Sequence, residues 1–326
     1  MARLLVTGCG GFVGRTLVAR LAAAGHEVWG VDRSSGEDDF TGRERRVADI
    51  TDGGAVGRLL EECAPDAIVH LAALSSVRES FDDPFATLVG NTLPALHILE
   101  HLRRTPRRCR ALMVGSAEEY GVVAPEHLPI SESAPVDPRS PYALSKSIQN
   151  QCCRAFATLY GVDVVMTRSF NHTGPGQSDT FVLSSFARQL VEIQMGRREA
   201  TLHVGNLDVR RDFLDVRDVC AAYERLLEKG SAGETYNVCS GTAHRIGNLL
   251  ERLRALADVK VDVRLDPARL RPVDMPELRG SAGKLTDHTG WEPTVTIDET
   301  LRALLDDWRE RLAAEPGAGA ERRRTK

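Results

Sequence analysis

A glycine-rich stretch at residues 7–14 constrains this chain more than any other feature of the sequence. It follows an apolar run, residues 4–6, that is typical of a strand, and it precedes a segment, residues 15–24, whose apolar positions repeat at the spacing of one helix face. Its glycines recur every third position from Gly8 to Gly14. In a strand-to-helix turn, such glycines let the backbone approach a pyrophosphate and direct the helix N-terminus at it. A tight turn without a ligand would show the same glycines, so the elements that follow must decide between the two.

The next predicted strand, residues 26–31, ends at an acidic residue, Asp32. Asp32 lies about 20 residues beyond the glycine turn, where a dinucleotide fold places the carboxylate that binds a ribose. This carboxylate would repel a 2′-phosphate and favours NAD, whereas Arg33 and the serines at positions 34 and 35 could accommodate that phosphate and favour NADP. The sequence therefore leaves NAD or NADP open as the cofactor.

Strand-like and helix-like segments alternate through the first half of the chain. Further strands are predicted at residues 45–48, 67–71, 111–114 and 163–167, with helices at 52–63, 85–103 and 140–159 between them. This alternation predicts a doubly wound parallel sheet, in which ligands bind at the carboxyl ends of the strands. Asp49 and Ile50 follow one such end, where the Asp49 carboxylate could contact an adenine or cap the next helix. The small residues within the segment 71–73 would allow close packing against a dinucleotide.

The pattern loosens after residue 168, where the strands become shorter. Strands at 202–204, 235–238 and 260–265 alternate with helices at 215–228, 245–256 and 296–312. We therefore predict an α/β protein with a Rossmann domain over residues 1–168 and a smaller C-terminal α/β lobe, mainly for substrate binding, over residues 169–312. Residues 313–326 are rich in alanine, glycine and arginine and are predicted to be a disordered tail.

Composition argues against several classes of protein. A net charge of −4 does not fit a nucleic-acid-binding protein, which would be strongly basic. The seven cysteines are odd in number and show no CxxC spacing, which indicates reduced thiols in a cytoplasmic protein and no zinc site. No segment approaches about 20 uninterrupted apolar residues, so no membrane span is expected.

A tyrosine and a lysine carry the strongest chemical signal. Tyr142 and Lys146 are four residues apart in a predicted helix that begins with Ser140 as N-cap and Pro141 as its first residue, so the two share one face. A free tyrosine has a pKa of about 10, and a nearby ammonium favours its ionised form, so the pair could move a proton on and off a sugar hydroxyl. Ser116, at the end of a predicted strand, could hydrogen-bond the same oxygen. A surface Tyr–Lys pair is common, and only the combination with Ser116 and the glycine turn indicates a site.

On these residues, the chain resembles the extended short-chain dehydrogenase/reductases over residues 1–312. The resemblance implies a catalytic triad in which Tyr142 is the acid/base, Lys146 tunes it and holds the nicotinamide ribose, and Ser116 completes the group. It also implies hydride transfer to or from C4 of the nicotinamide of NAD or NADP. The residues that would bind this cofactor are Gly8, Gly11, Phe12, Val13, Gly14, Asp32, Arg33, Asp49, Ile50, Leu71, Ala72, Ala73, Tyr142 and Lys146.

The second half is similar to GDP-4-keto-6-deoxymannose reductases and, in part, to GDP-mannose 4,6-dehydratases. The similarity rests on residues 168–177, 210–218, 236–241, 266–274 and 289–293. It implies a nucleotide-sugar substrate, with a GDP-hexose as the expected class. The residues expected to bind it are Asn171, Arg211, Arg271 and Asp274. A guanidinium can pair with diphosphate oxygens and a carboxylate with ribose hydroxyls, although the two arginines could instead form salt bridges between the lobes.

Glu118 leaves the reaction open. A 4,6-dehydratase needs a carboxylate near C5 and C6 of the sugar to remove one proton and deliver another, and Glu118, two residues after Ser116, matches it. A 4-keto reductase needs only the triad, and there Glu118 would be a polar residue that lines the site. Overall resemblance favours the reductase over the dehydratase, with a GDP-sugar epimerase or a non-catalytic nucleotide-binding regulator as further alternatives. The resemblance also implies a homodimer, which the apolar positions of the helices at 85–103 and 140–159 would permit.

Overall fold

The computed structural model describes residues 1–35, 40–270 and 275–315. Within these ranges the chain forms thirteen strands and ten α-helices. The strands are β1 (Arg3–Thr7), β2 (Glu27–Asp32), β3 (Glu44–Val47), β4 (Ala67–His70), β5 (Arg110–Ser116), β6 (Val164–Ser169), β7 (Asn171–Thr173), β8 (Thr201–Val204), β9 (Arg210–Asp215), β10 (Thr235–Val238), β11 (Ala243–Arg245), β12 (Asp262–Leu265) and β13 (Glu277–Leu278). The helices are α1 (Phe12–Ala23), α2 (Gly53–Cys63), α3 (Glu79–Asp82), α4 (Pro84–Arg104), α5 (Pro141–Tyr160), α6 (Val182–Gln194), α7 (Val216–Lys229), α8 (Ile246–Ala257), α9 (Gly283–Thr289) and α10 (Ile297–Ala314).

Seven parallel strands form the central sheet, in the order β10-β6-β5-β4-β1-β2-β3. Helices cover both of its faces. Strand β1 places Leu4 and Val6 in one core with α1 and α7, and it places Leu5 in the opposite core with α2, α4 and α5. A parallel sheet that is buried on both faces needs nearly continuous apolar strands, which explains the runs seen in the sequence. The doubly wound α/β fold predicted from the sequence is confirmed.

A smaller lobe follows the sixth strand of the chain. It contains a sheet of β11, β9 and β13, with β7 paired to β9, and a two-stranded sheet of β12 and β8. Its apolar core joins α6, α8 and α10 through side chains such as Leu190, Leu250 and Trp308. Because β7 begins two residues after β6 ends, this lobe leaves the central sheet at the carboxyl edge of its strands.

Two elements of the second half belong to the central sheet instead of the smaller lobe. The strand predicted at 235–238 is β10, which pairs with β6 at the sheet edge, and α7 contributes to the core around α1. A sequence pattern shows that a strand exists but not which strand it pairs with, so this part of the prediction is corrected. For the remaining elements, the division at residue 169 stays a prediction.

The C-terminal helix also extends further than expected. Helix α10 ends at Ala314, so residues 313 and 314, which were predicted to begin the tail, are helical. Residues 316–326 lie outside the described part of the chain. The helix is secured at its other end by a capping box between Thr296 and Glu299.

Candidate active site

One cavity at the carboxyl ends of the central strands brings most of the predicted site residues together. Its volume is about 670 Å³, which is within the range of small-molecule and cofactor sites. The predicted residues that line it are Gly8, Gly11, Phe12, Val13, Gly14, Asp32, Arg33, Asp49, Ile50, Leu71, Ala72, Ala73, Ser116, Glu118, Tyr142, Lys146 and Asn171. Phe181 and Leu278 of the smaller lobe line it as well, so the cavity lies between the two parts of the molecule.

The glycine turn at this cavity has no space for side chains. Gly8 has a φ of +69°, and a Cβ there would lie 2.9 Å from the amide nitrogen of Ala72. A Cβ on Gly14 would lie 2.1 Å from the carbonyl oxygen of Gly8. Helix α1 begins directly after Gly11, whose backbone caps it without a side-chain hydrogen bond. At the cavity, the turn offers the exposed backbone of Gly11 and a helix N-terminus that no side chain caps, which are features that bind a pyrophosphate.

Asp32 at the end of β2 is fixed by two amides. Its Oδ2 accepts a hydrogen bond from Gly10 N at 2.9 Å, and its Oδ1 accepts one from Arg33 N at 2.8 Å. The carboxylate thus joins the glycine turn to the end of β2 while it lines the cavity. The Arg33 side chain is exposed at the same edge. Asp32, which favours NAD, and Arg33, which favours NADP, thus both line the cavity at this edge.

The alternative role of Asp49 as a helix cap is taken by Asp52. Asp52 is the N-cap of α2, and its Oδ1 accepts a hydrogen bond from Gly54 N at 2.8 Å. Asp49 instead accepts from the backbone and the hydroxyl of Thr51, and these bonds lower the pKa of its carboxyl. Asp49 is therefore an anion at the rim of the cavity, next to the end of β3.

Tyr142 and Ser116 meet inside the cavity. Helix α5, which carries Tyr142, begins with Ser140 as N-cap and Pro141 at its first turn, as the sequence predicts. Both side chains line the cavity, and Ser116, the last residue of β5, lowers the pKa of the Tyr142 phenol. Burial raises the pKa of Tyr142 to about 12 against the effect of Ser116, and the charge of Glu118 adds to the rise. The phenol consequently holds its proton at neutral pH.

Lys146 lies one helical turn after Tyr142 and is 2% exposed. Its Nζ donates to the carbonyl oxygen of Val114 at 2.8 Å and lies 3.4 Å from Oε1 of Gln149. Burial lowers the pKa of Lys146 to about 8, and Glu119 opposes this shift. The sequence predicts that this ammonium loosens the tyrosine proton, but here it is engaged by Val114 and Gln149, and burial dominates the pKa of the phenol.

Two buried polar contacts support the site and were not predicted. Asn91 of α4 is fully buried, and its Nδ2 donates to Oγ of Ser145 on α5 at 2.9 Å. Its Oδ1 accepts from the amide of Leu74 at 2.7 Å, which ties the loop beside the cavity to the catalytic helix. Thr7 Oγ1 bonds Nδ1 of His70 at 2.8 Å and accepts from Ala72 N at 3.2 Å. A polar residue amid the apolar positions of a helix is the signal by which Asn91 could have been found.

Two of the four residues expected to bind substrate lie in the described part of the chain, and one of these lines the cavity. Asn171, the first residue of β7, lines the cavity, and the next residue, His172, stacks on Phe12 with ring centroids 6.1 Å apart. Arg211 is 5% exposed and does not line the cavity; its Nη1 donates to the carbonyl oxygen of Met275 at 2.6 Å. Positions 271 and 274, where Arg271 and Asp274 stand, lie outside the described residues.

This cavity, with its glycine turn and its serine, tyrosine and lysine, is that of an extended short-chain dehydrogenase/reductase. The chain belongs to the GDP-mannose 4,6 dehydratase family, whose model matches residues 5–304. The family predicted from the sequence is thereby confirmed, and the protein is an enzyme.

Known proteins of similar sequence and structure cover nearly the whole chain. GDP-6-deoxy-D-mannose reductase of Pseudomonas aeruginosa is 42% identical over 313 residues, which is 96% of this chain and 99% of that protein. A solved structure of RMD from Pseudomonas aeruginosa complexed with NADPH has a TM-score of 0.85 at 40% identity and covers 95% of this chain and 100% of that chain. UDP-glucose 4-epimerase of Thermus thermophilus, solved in complex with NAD, has a TM-score of 0.85 at 29% identity and covers 94% of this chain and 99% of that chain. Over the described residues, the helices are too short or too polar to cross a membrane.

Proposed function

We propose that this enzyme reduces the 4-keto group of GDP-4-keto-6-deoxy-D-mannose, with NADH or NADPH as the reductant. The observation that carries the proposal is that Ser116, Tyr142 and Lys146 line one cavity together with the glycine turn. Reduction of a ketone needs a proton donor beside the carbonyl oxygen, and a phenol with a pKa of about 12 is such a donor at neutral pH. The 42% identity to a GDP-6-deoxy-D-mannose reductase supports the same substrate.

The residues around the glycine turn fit a dinucleotide. The backbone from Gly8 to Gly14 would hold the pyrophosphate, because Gly8, Gly11 and Gly14 line the cavity and α1 begins there with an N-terminus that no side chain caps. Asp32, Arg33 and Asp49 lie where the adenosine half would bind, and the segment 71–73 would pack against it. When bound, the reduced nicotinamide supplies the hydride that the carbonyl carbon accepts.

The protein residues supply the proton and hold the substrate oxygen. Tyr142 gives its phenolic proton to that oxygen as the ketone becomes a secondary alcohol, and Ser116 hydrogen-bonds the same oxygen. The positive charge of Lys146 stabilises the phenolate that remains until solvent returns the proton. Asn171 would bind the diphosphate of the substrate. Arg211 would act indirectly, since it holds the main chain at Met275, beside the segment that carries Arg271 and Asp274.

The test is to supply the purified enzyme with GDP-4-keto-6-deoxy-D-mannose and NADPH, and separately with NADH. We expect loss of nicotinamide absorbance and formation of a GDP-6-deoxyhexose only when both reactants are present. A matched reaction contains GDP-mannose and oxidised cofactor. Formation of the 4-keto sugar from GDP-mannose, without consumption of the keto sugar in the first reaction, would refute the reductase proposal.

A 4,6-dehydratase is the second candidate because of Glu118. Its side chain lines the cavity, and its charge acts on the phenol of Tyr142, so a carboxylate stands near the sugar position. In that reaction Glu118 would take the proton from C5 and return one during loss of water. Glu118→Gln separates the two candidates: it would abolish a dehydratase and leave the reductase active, since the reductase needs no base at C5.

We further propose a cytoplasmic homodimer. Helices α4 and α5 pack together, and their outer surface leaves Phe85 76% exposed and Leu144 41% exposed. Burial of these side chains against a second copy would remove apolar surface from water. All seven cysteines are free, which suits a reducing compartment. Light scattering of the wild type and of Phe85→Glu tests the dimer: the variant is expected to be a monomer, and a monomeric wild type would contradict the proposal.

A further inference from the structure

Directly behind the catalytic serine lies a glutamate that the proposed reaction does not use. Glu119 is fully buried, in the short turn that follows β5. Its Oε1 accepts a hydrogen bond from Ser116 N at 3.0 Å, and the Ser116 hydroxyl accepts one from Glu118 N at 3.2 Å. These reciprocal bonds form a capping box, which fixes the backbone from residue 116 to residue 119 in one conformation.

A buried carboxylate needs a partner, and here it is Arg168 of β6. Arg168 Nε donates to Oε2 of Glu119 at 3.1 Å, and the two side chains are 7% and 0% exposed. The strand neighbour of Arg168 on β5 is Gly115, where a Cβ would lie 2.3 Å from the carbonyl oxygen of Thr167 and 2.6 Å from Oε1 of Glu119. A glycine at position 115 therefore leaves room both for the backbone of β6 and for this carboxylate. Because such a pair is costly to bury and can be replaced by apolar residues in a core, its presence here calls for a reason beyond packing.

The same carboxylate acts on the catalytic lysine through its charge. Burial lowers the pKa of Lys146, and Glu119 is the largest influence that raises it again. The other titratable groups that interact with Lys146 are Cys153 on α5, which also raises its pKa, and His70 on β4, whose own pKa is lowered by the lysine. His70 is neutral at pH 7 and Cys153 is a buried thiol. Burial raises the pKa of Glu119, and the Arg168 guanidinium opposes this rise, so the pair with Arg168 favours Glu119 as the anion among these three groups.

We propose that Glu119 is a positioning residue of the active site: held by Arg168, its carboxylate fixes the turn that presents the Ser116 hydroxyl to Tyr142. This inference rests on the proposed reductase function. Glu119 does not line the cavity and so acts through Ser116 and Lys146 without touching the substrate. This positioning role depends on two properties of Glu119: the oxygen that accepts a hydrogen bond from Ser116 N, and the negative charge that acts on Lys146.

Two substitutions of Glu119 distinguish the effect of the acceptor oxygen from that of the charge. Glu119→Gln keeps an acceptor oxygen for Ser116 N but removes the charge, whereas Glu119→Leu removes both. We expect Glu119→Leu to lower kcat by about 100-fold, as misplacement by about 1 Å does, with little change in KM or in the affinity for NAD(P)H. Glu119→Gln should keep more of kcat and should move the alkaline limb of the pH profile to lower pH, because Lys146 loses a neighbouring anion.

Asp218→Asn is the matched control. Asp218 of α7 is a 3% exposed carboxylate that accepts from the amides of Thr294 and Val295, and it does not line the cavity. Its loss should lower the melting temperature and leave kcat and the pH profile of the folded protein unchanged. If both Glu119 variants behave like Asp218→Asn, with a lower melting temperature but unchanged kcat and pH profile, Glu119 is only a structural residue and the inference is wrong. If Glu119→Leu does not fold, the result for Glu119→Gln decides alone. Wild-type turnover of the keto sugar tests the function separately, so the two failures are distinguishable.

Discussion

Lys146 makes the pH dependence of this enzyme predictable. Burial lowers the pKa of its ammonium to about 8, so the side chain is charged below that pH and neutral above it. If the charge stabilises the phenolate that Tyr142 leaves behind, activity falls as the charge is lost. Each pH unit above the pKa reduces the protonated fraction about tenfold, so kcat/KM should fall about tenfold per unit on the alkaline side.

The assay is kcat/KM for NAD(P)H and for the keto sugar across a pH series, since this ratio reports groups of the free enzyme. Two variants identify the group whose titration causes the alkaline limb of the kcat/KM profile. Lys146→Arg, whose guanidinium stays charged, should lack it even if its activity is low. Tyr142→Phe should keep the limb in its residual activity, because a phenol with a pKa of about 12 cannot cause a limb near 8. A flat profile in the wild type, or a limb that survives in Lys146→Arg, would refute the reasoning.

Three further predictions concern residues around the site. Gly14→Ala should abolish dinucleotide binding measured by calorimetry, because its Cβ would lie 2.1 Å from Gly8 O. In the control Gly57→Ala, in α2, the added Cβ meets nothing within 4 Å, and the substitution should stabilise the fold by about 0.5–1 kcal/mol. Burial lowers the pKa of His70 to about 3 from 6.5, so the folded state excludes a proton that the unfolded chain binds. The free energy of unfolding should therefore fall below pH 6.5, by about 2 kcal/mol at about pH 5. Denaturant titrations of His70→Asn should lack this contribution to the pH dependence of stability. Arg33→Ala should weaken NADPH binding and leave NADH binding unchanged; equal losses for both cofactors would show that Arg33 does not contact a 2′-phosphate.

Features set by local chemistry were predictable from the sequence. The cap and first turn of α5 depend on adjacent residues, Ser140 and Pro141, and they occur where predicted. The glycine turn is equally local, since its glycines and the following helix are contiguous. Features that depend on which strands become neighbours were not predictable: β10 was assigned to the smaller lobe because alternation along the chain carries no information about its pairing with β6.

The same limit explains which site residues were missed. Asn91 holds Ser145, and Glu119 pairs with Arg168, so each contact joins residues about 50 positions apart. No spacing rule connects such residues, and only the fold brings them together. Arg211 is the opposite case, a residue that the sequence predicts to contact substrate. In the structure its buried guanidinium instead donates a hydrogen bond to the carbonyl oxygen of Met275.

Two neighbouring glutamates show why the reaction cannot be inferred from residue types alone. In the sequence, two acids, Glu118 and Glu119, follow the catalytic serine, and only Glu118 stands at the position that matches the dehydratase carboxylate. In the turn that follows β5, Glu118 lines the cavity, whereas Glu119 is fully buried against Arg168. A base for elimination must reach the sugar, so only Glu118 could serve a dehydratase, and Glu119 could serve either reaction by holding Ser116. The choice between reduction and elimination therefore depends on the half-buried carboxylate of Glu118 in the cavity, while the serine–tyrosine geometry that both reactions share depends on the fully buried carboxylate of Glu119.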